Sequence, residues 1–259
     1  MNGVVRMEWI KLRSVRSTWW TLAVFVAGMA ALGVVTVATT TPHDWAQWSH
    51  ATRASWDPTN SGFSGLFIAQ FCAAILAVLA VTSEYSSGMI RATLAAVPHR
   101  RAVLAGKAAA VGALVLAAGE VLAFVTFFGV QLTLKSPVPH ATLAQPGVLR
   151  AVLMAGAYPF LVAMMAVGLA LIFRHTAGAI CAVVGLLFIL PLLTAVLPHT
   201  LHLDIDRFLP LLIAENSITA VKFMPGLETL NPWAGFAVLC GYAAALLALG
   251  GWLLARRDA

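Results

Sequence analysis

The chain has 259 residues, 61% of them hydrophobic and only 10% charged. Soluble domains carry about 25% charged residues, and a mean hydropathy of +0.89 leaves too little polar surface to coat a water-soluble globule. The net charge of +6 follows a membrane pattern, set out below, rather than that of a nucleic-acid binder.

In chain order, residues 2–18 predict a helix lying flat on the membrane surface. On a helical wheel Val5, Trp9, Leu12, Val15 and Trp19 gather on one side, while Arg6, Lys11, Ser14 and Ser17 lie away from it. Arg16 intrudes on the apolar side, where its stem can snorkel to the headgroups. Trp9, Lys11, Leu12 and Arg13 are assigned to this interfacial helix, with its basic face on anionic lipid.

A helix of about 20 apolar residues crosses a bilayer. Six stretches qualify: 19–40, 63–83, 102–132, 149–173, 177–197 and 233–255. Lipid cannot satisfy open backbone groups, so the expected fold is all-α, a single polytopic bundle of six transmembrane helices. The first run is longer than a signal-peptide core, and Thr39-Thr40-Thr41-Pro42 offers no small-x-small cleavage site, so it is expected to be retained. The third run is long enough for its first turns to stand clear of the hydrocarbon. A link around Arg174-His175-Thr176 forces the fourth and fifth into a tight hairpin. The apolar run 208–213, inside the loop 198–232, is expected to dip into the outer interface or to cap the bundle. Cys72, Cys181 and Cys240 lie in apolar runs and read as small buried residues.

Basic residues set the orientation. With the N-terminus inside, the cytoplasmic side carries Arg6, Lys11, Arg13, Arg16, Arg91, Arg100, Arg101, Lys107, Arg174, Arg256 and Arg257. The outside carries only Arg53, Lys135, Arg150, Arg207 and Lys222. Both termini are therefore expected in the cytoplasm of a plasma-membrane protein. Trp19, Trp20 and Trp252 mark the inner interface, and Trp45, Trp48, Trp56 and Trp233 the outer one.

The link 84–101 between the second and third spans is the most informative stretch. Glu84 is expected to end the second span at the membrane edge, and Ser86-Ser87-Gly88 to turn the chain. Residues 88–96 predict a short helix with Ile90, Leu94 and Val97 on one side and Arg91 elsewhere. Pro98 ends it, and Arg100 and Arg101 anchor the next span. A short helix held between two spans suits a coupling device; a plain basic loop that fixes topology is the competing reading.

Glu120 lies near the middle of the third span, where a lone acid costs about 2.5–3.5 kcal/mol on insertion scales. It is expected to face the bundle interior or a wet cavity. There it serves either as a substrate-pathway or gating contact or as a hydrogen-bond partner of Ser or Thr on a neighbouring helix. Gly112 and Gly119 share a face of the same span and suit close helix packing. Pro159 and Pro191 interrupt the fourth and fifth spans. No catalytic or metal-ligand pattern is legible. Gly106-Lys107 is not a phosphate loop, because Arg101 stands in place of the first glycine and Ala108 in place of the hydroxyl residue.

Three segments together resemble one family. They are Glu8-Trp9-Ile10-Lys11-Leu12-Arg13-Ser14 at the head, and Ser83-Glu84-Tyr85-Ser86-Ser87-Gly88-Met89-Ile90-Arg91 with Leu94, Pro98, Arg101 and Lys107. The third is Asn231-Pro232-Trp233-Ala234-Gly235 leading to Arg256-Arg257-Asp258. The chain resembles the permease subunits of type-2 ABC exporters, the ABC2 membrane family, in their compact actinobacterial six-span form. The resemblance implies a pair of such chains, identical or sibling, each meeting a separate ATP-binding cassette ATPase through the segment containing Glu84, Gly88, Arg91, Leu94, Pro98 and Arg101. ATP and magnesium would belong to that partner, with no cofactor held by this chain, and a drug-like, lipid or natural-product cargo would leave the cell. A regulatory or structural partner of a cassette protein is the alternative. An intramembrane enzyme is disfavoured, because Glu120 is the one deep polar group legible as a candidate.

Overall fold

The computed structural model describes residues 2–97, 99–194, 196, 205–220 and 229–256. Among them there is no strand. Helix α1 spans Asn2–Ser14 and α2 spans Arg16–Thr39. Two short helices, α3 (His50–Ser55) and α4 (Pro58–Gly62), precede α5 (Leu66–Ser86). Then follow α6 (Met89–Ala96), α7 (Arg100–Thr133) and α8 (Val148–Phe173). The fold closes with α9 (Thr176–Thr194), α10 (Pro210–Ser217) and α11 (Pro232–Arg256).

Six of these, α2, α5, α7, α8, α9 and α11, are long and apolar enough to cross a membrane. At 1.5 Å per residue, the 34 residues of α7 extend well beyond a hydrocarbon core of about 30 Å. Helix α8 is the hub: 78% of its most apolar stretch is buried, against 17% for α9. Helices α5, α7 and α11 all pack on α8.

Inside a bilayer, apolar side chains gain nothing by leaving lipid, so close packing between small residues has to hold the helices together. Gly119 of α7 lies against the backbone carbonyl of Gly156 on α8, leaving no room for a Cβ. A Cβ at Gly112 would meet the Phe160 ring at 2.8 Å. A Cβ at Gly250 of α11 would come within 2.8 Å of the Gly168 carbonyl on α8. Two π-helical turns widen the spans. One, Ala27–Ala31 in α2, brings the backbone of Gly28 and Met29 against Gly65. The other, Gly185–Ile189 in α9, lies just before Pro191, whose ring clashes with the carbonyl four residues back. Pro159 is accommodated within α8.

Helix α8 ends where Arg174 turns left-handed at φ 55°, and α9 begins two residues later at Thr176. The described part of α9 ends at Thr194, so residues 195 and 197 of the expected fifth span lie outside the described residues. Helix α10 caps one end of the bundle. Pro210, Ile213, Ala214 and Ser217 are buried there, and the Tyr242 hydroxyl donates to the Phe208 carbonyl at 3.0 Å. Two sequence expectations are corrected. The surface helix stops at Ser14: Val15 is extended at φ −92°, ψ 123°, and Arg16–Thr18 begin the first span, so the flat helix is not 2–18. Cys181 and Cys240 are exposed on outward-facing helix surfaces, and only Cys72 is buried.

Candidate functional site

Opposite the α10 cap, α1, the α5–α6 turn, the start of α7 and the end of α11 come together in what we call the base. Arg100 at the start of α7 donates to the Leu254 carbonyl of α11 at 2.8 Å. The α5–α6 turn depends on Gly88, whose φ of +70° is the left-handed conformation that glycine adopts without steric cost. The amide of Gly88 donates to the Tyr85 carbonyl at 3.2 Å as α5 ends. Helix α6 buries Ile90 and Thr93, half-buries Leu94 and Val97, and leaves Met89, Arg91, Ala92, Ala95 and Ala96 exposed.

Four charges meet between these elements. The Lys107 ammonium, on α7, donates to Glu8 Oε2 at 2.6 Å, to Glu84 Oε1 at 2.9 Å and to the Ala80 carbonyl at 2.9 Å. The Lys11 ammonium donates to Glu84 Oε1 at 2.7 Å, to Glu8 Oε1 at 3.0 Å and to Thr93 Oγ1 at 3.4 Å. The node thus joins α1, α5, α6 and α7. Glu8 and Glu84 are 3% exposed and Lys107 5%, while Lys11 keeps 26%. Partial burial disfavours the Lys11 ammonium, but its hydrogen bonds to Glu84 and Glu8 and their charges outweigh this and raise its pKa above the ordinary lysine value. The α1–α7 approach needs Gly106, where a Cβ would meet Val4 Cγ1 at 2.6 Å. The Gly106-Lys107 pair therefore serves helix docking.

The predicted residues fall as follows. Glu84 lies two residues before the end of α5 at Ser86, and its carboxylate is enclosed by the two lysines. Lys11 is turned to both carboxylates and keeps part of its side chain exposed. Leu12 is buried against the bundle, whereas Trp9, assigned to the same apolar side, is 37% exposed, and Arg13 is exposed. The apolar wheel misplaced this face because a buried acid, Glu8, shares the inward side with Leu12. Gly88, Arg91 and Leu94 sit at the α5–α6 turn and on α6, and Arg101 is exposed at the start of α7. Pro98 lies outside the described residues.

Sequence reasoning left Glu8 out of the site. Two signals pointed to it: Lys11 one helical turn on, and Lys107, a cation stranded in an apolar run that required a buried counter-charge. Glu120 is half-buried at the Gly119–Gly156 crossing, and its Oε2 has no hydrogen-bond partner among the described residues. The expected bond to Ser or Thr on a neighbouring helix is not among the described contacts.

The described residues thus form a multi-span helical bundle with a short helix, α6, seated at one end. Residues 3–259 match the family model described as ABC-2 family transporter protein, and the chain belongs to that family. It is therefore a multi-pass membrane protein and a transport component rather than a catalyst in its own right. No curated protein matches it.

Proposed function

We propose that the chain is the permease subunit of an ATP-driven exporter. Two such chains work with a separate ATP-binding cassette ATPase that holds ATP and magnesium. The base faces the cytoplasm of the cell and α6 is the docking helix. The observation that carries this reading is the union of an outward-facing short helix with the buried node. A push on α6 passes through Thr93 to Lys11, and through the Gly88 turn to Glu84, so it reaches α1, α5 and α7 together. Exposed Arg91 and Arg101 give the docking face its positive charge. The cargo is a drug-like, lipid or natural-product molecule, and Glu120 serves its pathway or gate.

The test is co-purification with the cassette protein, followed by ATPase and transport assays. Gly88→Trp has open space around it, but its backbone at φ +70° is strained for any side chain. It is expected to keep the chain in the membrane and to uncouple ATP hydrolysis from transport, as is Glu84→Ala. Normal coupling in both variants removes the assignment. Glu120→Gln transporting at the wild-type rate removes the pathway role.

A further inference from the structure

At the end of the bundle opposite the node, a pocket of about 120 Å³ lies under the α10 cap, between the α4–α5 link, the first turns of α5, and Tyr158 of α8. A water needs about 10–15 Å³ of such space, so the pocket has room for several waters or for one small organic group. Phe63, Phe67, Leu211 and Ala214 give it apolar walls, and Gln70, Tyr158 and Glu215 bring polar groups to it. We propose that this pocket binds a small organic ammonium ion that carries an ether or hydroxyl oxygen beside its charge.

Each polar group leaves a capacity for such a ligand to fill. Gln70 and Tyr158 are both 1% exposed. The Tyr158 hydroxyl donates to Gln70 Oε1 at 2.7 Å. That bond leaves Gln70 Nε2 with no acceptor among the described residues, and the nitrogen is not sealed off from the pocket its side chain lines. A buried amide donor left unspent is costly, and an oxygen on the ligand satisfies it. The Tyr158 oxygen, its proton committed to Gln70, keeps a lone pair for an N–H donor. Glu215 is half-buried, and among the described residues neither of its oxygens accepts a hydrogen bond. Both oxygens stay open, unlike the sealed Oε2 of Glu84. Burial raises the Glu215 pKa and no neighbouring cation counters it, so the site lacks the positive charge that an ammonium brings. Aromatic rings attract the same charge, and Phe63, Phe67 and Tyr158 line the pocket. A hard metal ion asks instead for a shell of oxygens, which these walls do not provide.

The experiment uses the full chain in detergent, with no ATPase present, so its outcome is separate from that of the exporter reading. Three probes of matched shape are titrated at neutral pH and followed by ligand-observed NMR. Protonated methoxyethylamine has both the charge and the oxygen, protonated butylamine lacks the oxygen, and methyl propyl ether lacks the charge. We expect saturable binding of methoxyethylammonium, about tenfold tighter than butylammonium and at least about tenfold tighter than the ether. Glu215→Gln should bring methoxyethylammonium down to the level of the ether. Gln70→Leu should bring the two ammonium ions to within about twofold of each other. Equal binding of the three probes by the wild-type chain, or undiminished ammonium binding by Glu215→Gln, overturns the proposal. Uptake that never saturates overturns it as well, and leaves the pocket to water. Glu215→Gln removes an unpaired buried acid and is expected to fold, so the test stays open if Gln70→Leu does not.

Discussion

The two ends of the bundle are fastened by different chemistry. At the base, side chains bind side chains: Glu8, Lys11, Glu84 and Lys107 come from three helices far apart in sequence, and each ammonium touches both carboxylates. At the distal end, side chains anchor backbone, and the Thr194 hydroxyl also donates to Asp206 Oδ1 at 2.8 Å. Asp57 Oδ1 caps α4 by accepting from the amides of Thr59 at 2.8 Å and Asn60 at 3.4 Å, and its Oδ2 accepts from the Ala220 amide at 2.6 Å. Arg150 donates to the carbonyls of Ser217 at 2.9 Å and Thr219 at 2.7 Å. Trp45, Trp48 and Trp56 close the same end, with ring centroids 5.4–6.2 Å apart. Backbone anchors pin loops one at a time. A shared ion cluster makes the positions of several helices depend on one another, which suits the transmitting role proposed for this end.

Breaking the base should therefore cost more than breaking the distal end. Lys107→Ala leaves two enclosed carboxylates short of a counter-charge and is expected to lose about 3–5 kcal/mol, read as a fall in thermal stability in detergent. If the node acts as a unit, the double variant Lys107→Met with Glu84→Leu recovers most of that loss. A loss under about 1 kcal/mol for Lys107→Ala would reduce the node to an ordinary surface cluster. Gly106→Val forces α1 off α7 at Val4 and is expected to cost about 1–3 kcal/mol, with faster hydrogen exchange confined to α1. Asp57→Ala removes the α4 cap, worth about 1 kcal/mol, and the bond to the Ala220 amide, with exchange rising around α4 and Ala220. Spread of that effect to the base would erase the contrast between the ends.

The smallest effect concerns Glu215 on α10, whose pKa burial raises above the ordinary carboxyl value of 4.5. A raised folded pKa means that the native state binds the proton more tightly. Its stabilising contribution is present below about pH 4.5 and is lost as pH climbs through the folded value. Glu215→Gln should accordingly raise the melting temperature at pH 8 relative to wild type, with a smaller difference at pH 4. The reverse order would show that the ionised form is the one the cap prefers.

How much of this was legible in the chain follows from the range of each interaction. The long spans are local facts of hydropathy, and the break between α5 and α6 is announced by Ser86-Ser87-Gly88. The node is not local. Glu8 and Lys107 are 99 positions apart, and no wheel or window places them together. A wheel scored on apolarity turned Lys11 toward lipid because it treated charge as a sign of exposure. The more useful rule for α1 would have been that an acid flanked by apolar residues, facing a bundle that already holds a stranded lysine, seeks that lysine. The fate of Glu120 was half-legible: its depth could be read, but the glycine crossing beside it could not.

The node also has a history in time. It holds two carboxylates and two ammoniums, so once assembled it carries no net charge. During insertion α1 and α7 have not met, and Lys11 and Lys107 stand as separate positive charges. Topology is set by lysine and arginine, with little contribution from acids. Under the orientation proposed here, the same two lysines first retain their flanks in the cytoplasm and only afterwards become adhesive. Inverting the signs of Glu8, Lys11, Glu84 and Lys107 together would keep all four pairs opposite while moving a retention charge from α7 to the end of α5, separating biogenesis from architecture in a single protein.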